Sequence, residues 1–317
     1  MKPLRNIGNT DIQITPIAMG CWPISGVTSV DVTEQASLAT LNAAFESGIN
    51  FFDTAYCYGY EGESERLITQ ALGDRRDQIV IATKGGIHWQ GTKQVRDASP
   101  ARIRQECDES LQRLNTDRAE LYYLHGPDPE IPVSESAGAF QELLASGKIL
   151  SVGVSNFTLE QLQEFARVCP ISAYQPRYNM LQRDIEKDRL PWCIKNNVSV
   201  MAYWPLMKGL LAGKLSRDHQ FAPEDGRQKY PMFHGEEWEK NQDFLDVLRA
   251  LADEMNRTVA QIVVRWTIQQ PGITCALCGA KRPEQIKENA EALEFELSDS
   301  QIEAINQAIV QRGTIIS

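Results

Sequence analysis

The chain has 317 residues, of which 42% are apolar and 23% charged, the make-up of an ordinary globule with ample chain for a large core. Its formal net charge of −10 sets aside a nucleic-acid partner, because such affinity comes from clustered Lys and Arg, yet leaves room for one small basic pocket. No run of about 18 apolar residues occurs, so no membrane span is expected.

The opening segment, MKPLRNIGNTDIQITP, lacks the apolar run of a secretory signal. The seven cysteines are scattered. Free thiols in a reducing cytoplasm are therefore expected. Leu4–Ile7 and Ile12–Ile14, around Gly8-Asn9, read as a small hairpin. Strands are predicted at Ile17–Met19, Asn50–Asp53, Ile79–Thr83, Glu120–Leu124, Ile149–Gly153, Ala173–Gln175, Ser199–Ala202 and Thr274–Leu277. Helical patterns alternate with them. Thr33–Glu46 ends before Gly48, Ser64–Leu72 stops at Gly73, and Pro100–Leu114 opens on a Ser99 cap with proline at its first position. Ser134–Ala145, Thr158–Arg167, Ile185–Lys195, Val259–Gln269 and Glu284–Ala292 complete the alternation.

Strands that alternate with helices form a parallel sheet, and eight such units can close into a (β/α)8 TIM barrel. The rival, an open doubly wound sheet, usually carries a G-x-G-x-x-G fingerprint, and none occurs. Beyond the minimal barrel lie the Leu206–Asn256 segment, with an irregular polar loop at Arg217–His234 and a helix from about Glu236, and a C-terminal helix, Asp299–Val310. No composition shift marks a second domain, so residues 1–317 are read as one barrel domain. Cys275 and Cys278 are spaced C-x-x-C, but in a strand residues three apart face opposite ways. No second Cys or His pair completes a zinc set, and no metal is expected.

Barrel enzymes build their active sites where the strands end at the C-terminal rim. Asp53 ends the second predicted strand, and Tyr58 follows it in INFFDTAYCYGYEGESE. Lys84 ends the third and His125 the fourth. Singly, such residues are turn caps, solvated charges or core polar groups; together on one rim they point to chemistry. A free phenol titrates near about 10, and a neighbouring ammonium lowers that value. Lys84 is thus expected to acidify Tyr58, with Asp53 holding Lys84 in place. His125 would orient a substrate carbonyl oxygen that Tyr58 protonates.

These motifs resemble the aldo-keto reductase family over nearly the whole chain, from MGCW to ENAEAL. The resemblance implies a catalytic tetrad of Asp53, Tyr58, Lys84 and His125, a hairpin closing the barrel floor, and an extended nicotinamide cofactor bound without a doubly wound domain. VGVSNF is similar to the family segment that holds the nicotinamide carboxamide, which implies Ser155 and Asn156 with Gln175 as partner. AYWPLMKGLLAGK implies a stacking role for Tyr203 and a pyrophosphate lining from Leu206, Gly209 and Leu210, with Lys214 nearby. GAKRPEQIKENAEAL implies Ala280, Lys281 and Arg282 at a 2′-phosphate and Gln285, Glu288 and Asn289 at the adenosine end. Gly20, Trp22 and Gly279 join the cofactor set. Lys281 and Arg282 open the last barrel helix, where the dipole favours an anion, so NADPH/NADP+ is expected, with NADH the weaker ligand. Trp204 departs from the small residue many members carry, as does ALC before Gly279 from their apolar–Ile–Pro pattern.

Trp22, His88, Trp89 and Trp204 are expected to line a pocket for an apolar or ring-bearing carbonyl or a sugar. The leading reading is an NADP(H)-dependent reductase of aldehydes or ketones, or a sugar or alcohol dehydrogenase in reverse. A Schiff-base aldolase using Lys84 and a non-catalytic NADPH-binding sensor subunit are the rivals.

Overall fold

A computed structural model describes residues 4–27, 32–223 and 225–316; Glu224, in the predicted loop Arg217–His234, lies outside them. The chain opens with β1 (Arg5–Asn6) and β2 (Gln13–Ile14), an antiparallel pair in which Arg5 faces Ile14. Its turn needs glycine: Gly8 has φ of 52°, and a Cβ there would stand 2.5 Å from the Ser172 carbonyl oxygen.

Then follow β3 (Ile17–Gly20), α1 (Glu34–Glu46), β4 (Phe51–Asp53), α2 (Glu63–Leu72), β5 (Val80–Gly85), β6 (Ile87–Gln90), β7 (Lys93–Arg96), α3 (Pro100–Arg113) and β8 (Leu121–Leu124). The second half carries α4 (Val133–Ala145), β9 (Val152–Ser155), α5 (Leu159–Val168), β10 (Ala173–Gln175), α6 (Arg189–Lys195), β11 (Ser199–Tyr203), α7 (Gly235–Glu254), α8 (Val259–Gln269), β12 (Ile273–Gly279), α9 (Pro283–Ala290) and α10 (Asp299–Arg312). Strands β3, β4, β5, β8, β9, β10, β11 and β12 pair in that order, and β12 closes onto β3. The expected (β/α)8 barrel is present, with its N-terminal hairpin.

Helix starts follow local chemistry. Ser99 caps α3 with Pro100 behind it, and Thr158, Thr258 and Ser298 form capping boxes with Gln161, Gln261 and Gln301. Several boundaries differ from the sequence reading, three of them for a visible local reason. The fifth barrel strand begins at Val152 rather than Ile149, because Ile149 makes only an isolated bridge to Ala119 before the ladder starts at Tyr122 and Val152. The expected helix Ile185–Lys195 divides into a 3-10 turn, Asp184–Lys187, and α6, with Asp188 at φ −145° breaking the run and capping the second piece. The expected helix Glu284–Ala292 starts at Pro283 and tightens into a 3-10 turn at Glu291.

The β6–β7 hairpin was not anticipated. Its signal is the Gly91-Thr92 pair between two short alternating runs, with Gly91 at φ 61°. In the Leu206–Asn256 segment the polar loop folds into short turns, and Phe221 and Phe233 pack on Trp238 of α7. Arg312 of α10 binds back to Glu237 (2.5 Å) and Asn241 (2.9 Å) of α7.

Successive strand residues face opposite ways. Ile7 and Ile14 of the hairpin join Ala18, Phe51, Ala82, Tyr123, Ala173, Met201 and Leu277 in one buried cluster inside the barrel. The floor is thus plugged from below by the hairpin. Gly153 belongs to the same register: a Cβ there would lie 2.3 Å from the Tyr123 ring. Two residues further along each strand stand Gly20, Asp53, Lys84, His125, Ser155, Gln175, Tyr203 and Gly279. The period of two therefore delivers the predicted rim residues as one inward layer above the core.

Candidate active site

Lys84 is wholly buried, and Asp53 is 2% exposed. The Lys84 Nζ donates to Asp53 Oδ1 at 2.6 Å, to the Thr54 carbonyl oxygen at 2.7 Å and to the Tyr58 hydroxyl at 3.2 Å. An ammonium has three donors, and all three are used. Gln175 Nε2 donates to the other Asp53 oxygen at 2.8 Å. Tyr58 is half-buried, lodged between Trp22 (ring centroids 5.1 Å apart) and His125 (5.9 Å).

Burial pushes the Asp53 carboxyl above its ordinary value, with Lys84 pulling against it. Burial, aided by Asp53, also pushes the Tyr58 phenol well above its ordinary value. The direction is opposite to the acidification expected from Lys84, because burial and the neighbouring Asp53 both disfavour the phenolate. At neutral pH Tyr58 keeps its proton and can give it away. Burial, then Lys84 and Arg96, hold His125 well below its ordinary value. His125 is a neutral imidazole, able to donate one hydrogen bond without carrying charge.

The predicted cofactor residues form a band beside this group. The Ser155 hydroxyl donates to the Gln175 carbonyl oxygen at 2.8 Å. Asn156, at φ 62°, donates to Ser155 Oγ and to the His125 carbonyl oxygen and accepts from the Tyr203 hydroxyl at 2.8 Å. Gln175 is turned to Asp53 rather than to Ser155 and Asn156. Gly20 and Gly279 pair across the barrel seam, and a Cβ on Gly279 would lie 2.9 Å from Pro23.

After Leu206, the residues Met207, Lys208 and Gly209 all have positive φ, an arrangement that costs about 1–3 kcal/mol at each non-glycine position. Leu210 is buried beneath them. Lys214 pairs with Glu288 Oε2 at 2.5 Å, while Glu288 Oε1 is buried with no partner. Ala280 and Asn289 are buried, and Gln285 caps the Lys281 amide at 2.8 Å. Arg282 stands exposed at the N-cap of α9.

The polar loop that had no sequence pattern lies between these two segments. Arg227 approaches Gly209, and its partner Asp225 is held below its ordinary value chiefly by Arg227, with Lys281 adding to the effect.

Of the predicted pocket residues, Trp89 lies against Tyr60 with the rings tilted (centroids 4.8 Å apart), and its indole N–H donates to the Cys57 carbonyl oxygen at 2.9 Å. Trp204 is 39% exposed at φ 57°, with the Lys208 ammonium 3.8 Å from its ring centre. His88 is not brought to this group. It lies on the opposite face of β6, where Arg102 Nε donates to its Nδ1 at 3.3 Å and Glu106 stands 3.5 Å away. The sequence reading passed over Thr54, whose carbonyl oxygen binds Lys84, and Cys57, whose Sγ lies 3.5 Å from His125 Nδ1. No group of three or more His, Cys, Asp or Glu suited to a metal occurs among the described residues, and none of their helices is long and apolar enough to cross a membrane.

Residues 16–310 match the model of the aldo/keto reductase family. The chain belongs to the aldo/keto reductase family. Members of this family are oxidoreductases that act on carbonyl groups with nicotinamide cofactors.

Among aldo-keto reductases, the chain is 36% identical over 304 residues to aldo-keto reductase YhdN of Bacillus subtilis (strain 168), spanning 95% of this chain and 92% of that protein. It is 33% identical to the NADH-specific methylglyoxal reductase of Escherichia coli (strain K12), over 93% of this chain and 94% of that one. Its fold is similar to that of a glycerol dehydrogenase from Gluconobacter oxydans, with a TM-score of 0.92 and 36% identity over 98% of this chain and 96% of the other.

Proposed function

We propose that this aldo-keto reductase is NADP(H)-dependent and reduces an aldehyde or ketone to an alcohol, or oxidises a sugar or alcohol in reverse, with Tyr58 as general acid and base. The observation that carries the reading is the convergence of Asp53, Thr54 and Tyr58 on one buried ammonium, that of Lys84. That ammonium fixes the phenol at the barrel mouth, and the raised phenol holds its proton until an oxygen of rising basicity accepts it. His125 donates a hydrogen bond to the same oxygen and orients it. A reduced nicotinamide, when bound, would supply the hydride.

The residues present fit such a cofactor. The orphaned Glu288 Oε1 calls for a donor such as an adenosine group. Three consecutive left-handed residues offer backbone to a pyrophosphate. Lys281 and Arg282 at the start of α9 suit a 2′-phosphate. A relative named as NADH-specific makes that choice the first quantity to measure. Trp22, Trp89 and Trp204 form the mouth that receives the carbonyl or sugar. The same reading describes residues 1–317 as one catalytic domain working in the cytoplasm, where its seven buried free cysteines stay reduced.

A Schiff-base role for Lys84 is disfavoured, because its nitrogen is wholly buried and has no donor left over. The test is a fluorescence titration with NADPH and with NADH, followed by a panel of aldehydes, ketones and sugars read by reduced-nicotinamide absorbance. Saturable binding with turnover supports the reading. Binding without turnover across the panel leaves the sensor reading, and no binding ends both.

A further inference from the structure

Cys57 has no part in the chemistry described so far, yet its thiol is the neighbour of His125 Nδ1, at 3.5 Å. The cysteine is 1% exposed. Two anchors fix it: the Trp89 indole N–H bound to its carbonyl oxygen at 2.9 Å, and the turn that ties the Tyr58 amide to the Ala55 carbonyl oxygen at 2.9 Å. The His125 backbone is held as firmly, by its amide to the Gly85 carbonyl oxygen (2.9 Å) and by Asn156 (3.2 Å). The two backbones that carry the sulfur and the imidazole are thus both anchored, and they set the two groups within reach of each other.

A neutral imidazole carries one hydrogen on one of its two nitrogens, and the partner of one nitrogen decides the state of the other. Burial pushes the Cys57 thiol up to about 12, so its sulfur carries hydrogen. Sulfur is a weak acceptor, and an imidazole nitrogen is a good one. The favoured arrangement has S–H donating to Nδ1, which leaves the ring hydrogen on Nε2. The opposite tautomer would turn a lone pair toward the barrel mouth and repel a carbonyl oxygen.

We propose that Cys57 is a positioning residue that holds His125 in its Nε2–H form and thereby sets how a carbonyl oxygen is bound beside Tyr58. The inference rests on the reading of His125 as the ligand of that oxygen. Its first test does not depend on turnover. Nitrogen-15 spectra of the full chain, labelled at its four histidines, with His125 assigned by its loss in His125→Asn, report the protonated nitrogen directly.

The expected result is hydrogen on Nε2 in the wild type, loss of that preference in Cys57→Ala, and its return in Cys57→Ser. In Cys57→Ala the KM for carbonyl substrate should rise by about tenfold, the worth of one hydrogen bond, with cofactor Kd unchanged. Cys57→Ser should recover most of that loss. A wild-type spectrum with hydrogen on Nδ1 overturns the proposal, whether or not a Cys57 variant folds. So does a Cys57→Ala protein with both tautomer and KM unaltered. A correct tautomer in a protein that reduces no carbonyl would instead count against the functional reading alone.

Discussion

Gln175 and Asp53 stand 122 positions apart in the chain and meet above the barrel core, amide nitrogen to carboxylate oxygen, at 2.8 Å. With Lys84 on the other oxygen, this bond completes the support of a buried carboxylate. Gln175→Leu should leave Asp53 short of one partner and lower stability by about 1–3 kcal/mol. Denaturant unfolding measures it. A Cm equal to wild type would show that Lys84 alone supports the carboxylate.

Tyr58→Phe removes one hydroxyl from the group around Lys84. Reduction should fall by about 10²–10⁴-fold, the range for loss of a general acid, while NADPH binding by fluorescence stays as in the wild type. Steady-state rates and a titration on one preparation decide it. Undiminished turnover would remove Tyr58 from the chemistry.

The pH behaviour follows from the two shifts. Reduction needs the protonated phenol, which is present below its pKa, and that pKa lies well above the ordinary value. It also needs a neutral His125, present above a pKa that lies well below the ordinary value. The rate of reduction should therefore be flat from about pH 7 to about pH 9. The reverse reaction needs the phenolate to take the alcohol's proton, so alcohol oxidation should climb with pH over the same span. A profile of kcat/KM in both directions checks this, and a fall in reduction centred near neutrality contradicts it.

Lys281 and Arg282 precede α9. Replacing both with alanine should weaken NADPH by about 10–100-fold and NADH by less than about threefold, since each tenfold is about 1.4 kcal/mol and only one cofactor carries the extra phosphate. Comparison of the two Kd values is the measurement. Equal weakening would mean that the pair serves the helix rather than the phosphate.

Gly153 makes room for Tyr123. A Cβ there would lie 2.3 Å from the ring, so Gly153→Ala should cost about 1–3 kcal/mol through overpacking and lower Tm. An unchanged Tm would indicate that Tyr123 can swing aside without loss.

The sequence alone determined the alternation of strands and helices, the cap at Ser99, and the candidacy of Asp53, Tyr58, Lys84 and His125. These follow from backbone sterics, a period of two and side-chain bonds a few residues long, all short-range. Barrel closure decided the rest. It joined Gln175 to Asp53, turned His88 away to Arg102, set Cys57 against His125 and laid Arg227 beside Gly209. It also reversed the expected direction for Tyr58, because desolvation depends on how much protein surrounds a group, a quantity that no local pattern of residues contains.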